Sequence, residues 1–213
     1  MTMRIPHNLA PENYPLAWLI DVWQGGGVLE YENVPAAAYL HELRIDANDN
    51  GPYVRVTSNV WLAHEPASAV DKEQPGIATW EQLHKRELWS AAVGYVRVNP
   101  TVSQRSDGSY AVEAMLASPT GTSQIWVGVI RGPQLQMVTD VVARSAAGAE
   151  FTGAKLLAGN VNSDLFYSYD MEAFGFPMRS YMAGRLSRLM DSSVDPIVLD
   201  DTEPDAIEPD TRS

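Results

Sequence analysis

Four histidines and no cysteine bound the chemistry open to this 213-residue chain. Without thiols there is no disulfide, no thiolate nucleophile and no Cys-ligated zinc or iron–sulfur centre. His7 precedes the first apolar run, His64 falls in or beside a long polar stretch, and His84 sits in the polar run Gln82–Arg86, so all three read as solvated. His41 shares a strand face with Tyr39, Leu43 and Ile45 and reads as facing an interior. A hydrogen-bonded structural histidine is favoured there over a ligand or base. His41-Glu42 begins a His-Glu-x-x-His zinc motif that Ile45 breaks. Gly121-Thr122-Ser123-Gln124-Ile125 fails the nucleophile-elbow pattern at its last position. Gly25-Gly26-Gly27 fails the dinucleotide fingerprint at Glu30. No soluble-enzyme constellation emerges.

The glycines nevertheless stand out. Asp21-Val22-Trp23-Gln24-Gly25-Gly26-Gly27 runs directly into Val28-Leu29-Glu30-Tyr31, an apolar/polar alternation. Glycine inside a strand weakens it and is kept where another backbone or a ligand comes close. The segment therefore predicts a strand that begins in a crowded place.

Strand signals dominate the rest of the chain. Asn8 to Val22, with Pro11 and Pro15, suits one short helix or turn. Runs over 39–46, 52–62, 88–98, 110–117, 123–131, 135–143, 150–161, 165–171 and 177–189 are separated by turn residues such as Asn48–Gly51, Gly132-Pro133 and Asn162–Asp164. About ten strands at this spacing predict an all-β, antiparallel up-and-down meander. Closure into a barrel removes its two edges. A barrel of that size is too wide for side chains alone to fill, so its interior is expected to hold a ligand. The polar loop from Ala63 to Gly76 carries no assignable role.

Charge divides the chain. The net charge of -12 argues against nucleic acid, which needs a clustered basic face. Between Asp191 and Ser213 eight acids face a single base, Arg212, with three prolines and no aromatic residue. Such a composition predicts a disordered acidic tail, 191–213, after a barrel domain, 8–190. The tail could recruit a basic partner, although a solvated tail suffices to explain it. No run of about 18 apolar residues predicts a membrane span, and Met1–His7 has no apolar signal core; a cytoplasmic protein is the simplest expectation. The oligomeric state stays open.

An ordered set of motifs over most of residues 16–190 resembles the nitrobindin family, haem-binding β-barrels once grouped with fatty-acid-binding-like proteins. The family's opening Gly-x-Trp-x-Gly-x-Gly is matched at Trp23, Gly25 and Gly27, with Asp21 replacing the first glycine. Tyr39–Glu42, Gly94–Val98, Ala117-Ser118-Pro119-Thr120-Gly121 and Phe176-Pro177-Met178 occur in family order, as does Tyr181-Met182-Ala183-Gly184-Arg185-Leu186.

The resemblance implies haem b bound through a histidine in the last strand, and peroxynitrite isomerisation to nitrate. Tyr181 stands at the matching histidine position. Ala149 stands where the family has a lysine beside the haem. Both departures fall on the cofactor site while scaffold residues persist, so the resemblance implies a barrel without the histidine-ligated chemistry. A small apolar or planar molecule is then the expected occupant. The alternative is a ferric haem peroxynitrite isomerase that uses Tyr181 or His41 as ligand. A phenol must lose a proton from a pKa of about 10 before it ligates iron, which usually takes a nearby arginine. Arg179 and Arg185 lie an even number of residues from Tyr181 and so are expected on its face of the strand. A packed tyrosine with its hydroxyl at the rim is the simpler expectation. Met178, Met182 and Met190 are candidates to fill the pocket instead.

Overall fold

The structure, a computed structural model, describes residues 8–49 and 51–189. The acidic tail, Met190 and His7 lie outside the described residues. A 3-10 helix (Pro11–Leu19) precedes ten antiparallel strands: β1 (Asp21–Tyr31), β2 (Val34–Ala47), β3 (Val54–Ala63), β4 (Lys85–Val98), β5 (Tyr110–Ser118), β6 (Thr122–Arg131), β7 (Gln134–Arg144), β8 (Phe151–Val161), β9 (Asp164–Ala173) and β10 (Phe176–Arg188). Each strand pairs with the next, and β1 pairs with β10, which closes the barrel.

The turns explain the meander. Asn162-Ser163 and Phe174-Gly175 both place two successive residues at positive φ, the twist a two-residue hairpin needs. The long polar segment after β3 is not a bare loop. It holds a short 3-10 turn (Ala67–Ala69) and one α-helix, α1 (Gly76–Gln82), which lies on the outside of β1 and β10. The Ile77 amide donates to Ser187 Oγ at 3.0 Å, and Ala38, Leu40, Ala63 and Leu83 bury a small outer cluster beneath the segment. Strand β2 is therefore apolar on both faces, which obscures its alternation.

The 3-10 helix plugs one end of the barrel. Leu16, Ala17 and Leu19 join Trp23, Val54, Val112, Trp126, Ile130 and Leu186 in the main core. Asn13 is fully buried in this plug and accepts the Val98 amide proton at 3.3 Å, which ties the plug to β4. Trp23 donates to the Leu19 carbonyl at 2.8 Å. The opposite half of the interior is aromatic, built from Tyr31, Tyr39, Tyr167, Tyr169 and Tyr181 with Leu29 and Met182.

The glycine cluster marks a close backbone approach. A Cβ on Gly25 would sit 2.9 Å from the Leu186 Cα, and one on Gly27 would sit 2.8 Å from both the Gly184 Cα and Tyr39 Oη. In an open strand, alanine for glycine gains about 0.5–1 kcal/mol from backbone entropy. Here the added methyl has nowhere to go. Gly27→Ala is expected to destabilise the barrel by about 1–3 kcal/mol, the range for overpacking. Urea unfolding checks this, and a neutral or stabilising result would refute the crowding.

Candidate functional site

A cavity of about 850 Å³ follows the β1–β10 seam. Its lining comes from both faces of a wall thinned by glycine. Gly27, Tyr31, Tyr167, Tyr181, Met182 and Gly184 line it from inside the barrel. From outside come Gly26, Val28 and Arg185, with Asp71–Gln74 of the segment leading to α1. Arg179 and Glu32 stand at the cavity's rim, and Tyr167 is among its lining residues.

Tyr181 reaches the interior through a β-bulge. In the pairing of β10 with β9, Ser180 opposes Asp170 and Met182 opposes Tyr169, which leaves Tyr181 as the extra residue. Met182 also packs inward, against Leu29, Tyr39, Val60 and Leu62. The Tyr181 ring makes edge contacts with Tyr31 and Tyr169 at 6.0 and 6.2 Å between centroids. Its hydroxyl accepts the indole N–H of Trp89 from β4. Burial raises the phenol's pKa above its usual value, and the Trp89 hydrogen bond offsets this only in part.

The arginine expectation fails for Arg185, and the bulge is the reason. Counting by twos from Tyr181 assumes an unbroken pleat, whereas the pairing shifts twice along this strand. Arg185 points outward and pairs with Asp164 at 2.6 Å and with the Glu73 carbonyl at 2.9 Å. Arg179 pairs with Glu32 at the rim. Both guanidiniums are therefore engaged elsewhere: Arg185 faces out of the barrel, and Arg179, opposite Met171 on the inner face, turns to Glu32 at the rim.

His41 lies inside the barrel, 8% exposed, with both ring nitrogens bonded. Nδ1 meets Tyr167 Oη at 2.8 Å and Nε2 meets Ser58 Oγ at 2.9 Å. Tyr167 Oη is in turn 2.7 Å from Tyr39 Oη. Desolvation lowers the His41 pKa to about 4, so the ring is neutral at pH 7. The same burial pushes the Tyr39, Tyr167 and Tyr169 phenols upward. Composition held no hint of this network; the period-2 alternation around His41 was its one signal.

Other sequence candidates separate. Trp23 belongs to the plugged end, with Arg188 stacked 4.5 Å from its ring. Gly25 and Gly27 belong to the seam, and Gly27 also lines the cavity. Ala149 sits in the β7–β8 connection, its N–H on the Thr120 carbonyl at 3.0 Å, and is not part of the lining. Met178 packs over Gly153. His84 pairs with Glu65 at the surface at 2.8 Å. Among the described residues no histidine lines the cavity, and no cluster of three or more His, Asp or Glu side chains is arranged to hold a metal. No described helix is long and apolar enough to cross a membrane.

A family model described as the THAP4-like, heme-binding beta-barrel domain matches residues 12–188. A ferric nitrobindin-like protein of Beutenbergia cavernae is 35% identical over 215 residues, covering 89% of this chain and 100% of that protein. A Nocardioides protein named peroxynitrite isomerase is 31% identical over 188 residues, covering 88% and 99%. The crystal structure of Rv2717c from M. tuberculosis shares the fold, with a TM-score of 0.64, 22% identity and coverage of 84% and 98%.

The buried imidazole makes a prediction about acid. His41 takes up no proton in the native state until about pH 4, whereas in the unfolded chain it titrates near 6.5. Stability is thus unaffected above pH 6.5 and is lost as pH falls from 6.5 to 4, by about 3 kcal/mol for the full shift. Urea unfolding of the native protein and of His41→Gln at pH 7 and 4.5 should show a smaller acid loss in the variant. Equal losses would refute a buried neutral His41.

Proposed function

The chain belongs to the nitrobindin family of THAP4-like haem-binding β-barrel domains, and from that membership we propose that its cavity takes a small flat or apolar molecule without the family's histidine-ligated haem chemistry. One observation carries this reading. Tyr181, which the resemblance aligns with the family's iron-ligating histidine, is a buried phenol held by Trp89 with its pKa raised.

The donor set supports it. A phenol with an elevated pKa releases its proton reluctantly, and both arginines near it in sequence are paired elsewhere. His41 would have to break a bond to Tyr167 or Ser58 before offering a nitrogen. These residues do not fit a histidine-ligated haem. What remains around Tyr181 is an aromatic wall whose neighbouring cation, Arg179, is paired with Glu32, and such a wall suits a planar apolar ligand. A cytoplasmic location and a non-catalytic role accompany this proposal.

The names of relatives such as the Nocardioides protein favour a second reading, a ferric haem peroxynitrite isomerase. Tyr181 or His41 would be the donor in that reading. Hemin titration followed at the Soret band separates the two. Wild type is expected to give no sharp stoichiometric ferric spectrum and no acceleration of peroxynitrite decay over hemin alone. Tyr181→His should raise haem affinity at least about tenfold, because neutral imidazole binds iron without a proton penalty. A sharp stoichiometric wild-type spectrum, lost in Tyr181→Phe, would instead establish tyrosinate ligation. One that survives Tyr181→Phe would reveal another ligand and overturn the proposal.

A further inference from the structure

Ser58, His41, Tyr167 and Tyr39 form a linear chain of three hydrogen bonds across the barrel interior, with lengths of 2.9, 2.8 and 2.7 Å. Each of the three hydroxyls brings one proton, and a neutral imidazole brings one more. Four protons serve three bonds, so one is left over. Its position is set by the histidine tautomer and the direction of the tyrosine pair.

Three arrangements satisfy all the bonds. With the proton on Nε2, His41 donates to Ser58, Tyr167 donates to Nδ1, and the surplus falls on Ser58. With the proton on Nδ1, Ser58 donates to Nε2 and His41 donates to Tyr167. Tyr167 then either passes its proton to Tyr39 or accepts from Tyr39 as well. In the first case the surplus sits on Tyr39, a fully buried residue whose Oη is wedged against the backbone at Gly27 and Gly184. In the second it stays on Tyr167.

Tyr167 is the one member of the four that lines the cavity. With its oxygen accepting from both His41 and Tyr39, its own proton is free for a ligand. We infer that Tyr167 is a hydrogen-bond donor at the inner end of the cavity, and that the ligand is a neutral, flat molecule whose leading edge carries an oxygen acceptor such as a ketone carbonyl. The inference rests on the proposed ligand-binding role of the cavity and names the chemistry that the site selects. A ligand acceptor picks out the third arrangement and completes the chain. An apolar leading edge leaves the surplus proton without a partner, which is the costly case for a buried polar group. Neutrality is imposed by the wall. Around Tyr167 the lining residues Gly27, Tyr31, Tyr181, Met182 and Gly184 carry no charge at pH 7, and Arg179 at the rim is already paired with Glu32, so an anion would be desolvated there without a free counter-charge.

A matched pair of probes tests this: 2-acetylnaphthalene, which presents a ketone, and 2-isopropenylnaphthalene, which has the same shape without the oxygen. Equilibrium dialysis against the full chain should show the ketone retained about five- to tenfold more tightly, the worth of one hydrogen bond. Tyr167→Phe should bring that ratio to about one while changing isopropenyl binding less than twofold. Tyr39→Phe should keep the preference, because His41 still donates to Tyr167. Near-UV circular dichroism verifies that the variants fold. Infrared difference spectra of the bound ketone on the unmodified protein give a reading that needs no variant, and a carbonyl stretch shifted to lower frequency is expected. Equal retention of both probes, an unshifted stretch, or a preference that survives Tyr167→Phe would overturn the donor role and leave the cavity standing. Retention of neither probe would overturn both the donor and the cavity reading.

Discussion

The seam between β1 and β10 carries the rest of this structure. A meander of ten strands has two free edges, and only their pairing removes the exposed ladder groups of both at once. That pairing is uninterrupted from Trp23 opposite Arg188 to Leu29 opposite Met182. Side chains on Gly25 and Gly27 would drive the two backbones apart, so the absence of Cβ atoms is the condition for closure. The same absence has a second effect. Tyr39 Oη occupies the space over Gly27 and Gly184, which sets one end of the buried hydrogen-bond chain. Closure, cavity and polar network thus share one cause.

Much of this was legible in the sequence. Strand composition and turn residues located ten strands because each hairpin has to reverse within a few residues, and Asn162-Ser163 and Phe174-Gly175 do so by positive φ. Crowding at the glycine cluster was legible for the same local reason. The α1 segment was not. Seven residues from Gly76 to Gln82 are too short for helical periodicity to emerge, and the helix is held by contacts distant in sequence, such as that of Ile77 with Ser187. A period-2 count also misplaced Arg185 relative to Tyr181. A bulge inserts one residue and leaves no composition signature, yet it reverses the face of everything beyond it. The site was therefore legible in its residue types and not in their directions.

Directions matter because the interior disfavours charge. Burial lowers the one imidazole there and raises the surrounding phenols, so each group is driven to its neutral form at pH 7. A neutral imidazole donor would lose nothing in such surroundings, because its ligating form is already the favoured one. The Tyr181 phenol faces the opposite bias, since its ligating form would be the anion. Under the proposed reading, a phenol in place of an imidazole inside the same apolar shell changes what the cavity can hold by more than one donor atom. A shell that suits neutral imidazole works against tyrosinate, and under the proposed reading what it favours next to Tyr181 and Tyr167 is an uncharged guest that accepts a hydrogen bond and asks for no proton in return.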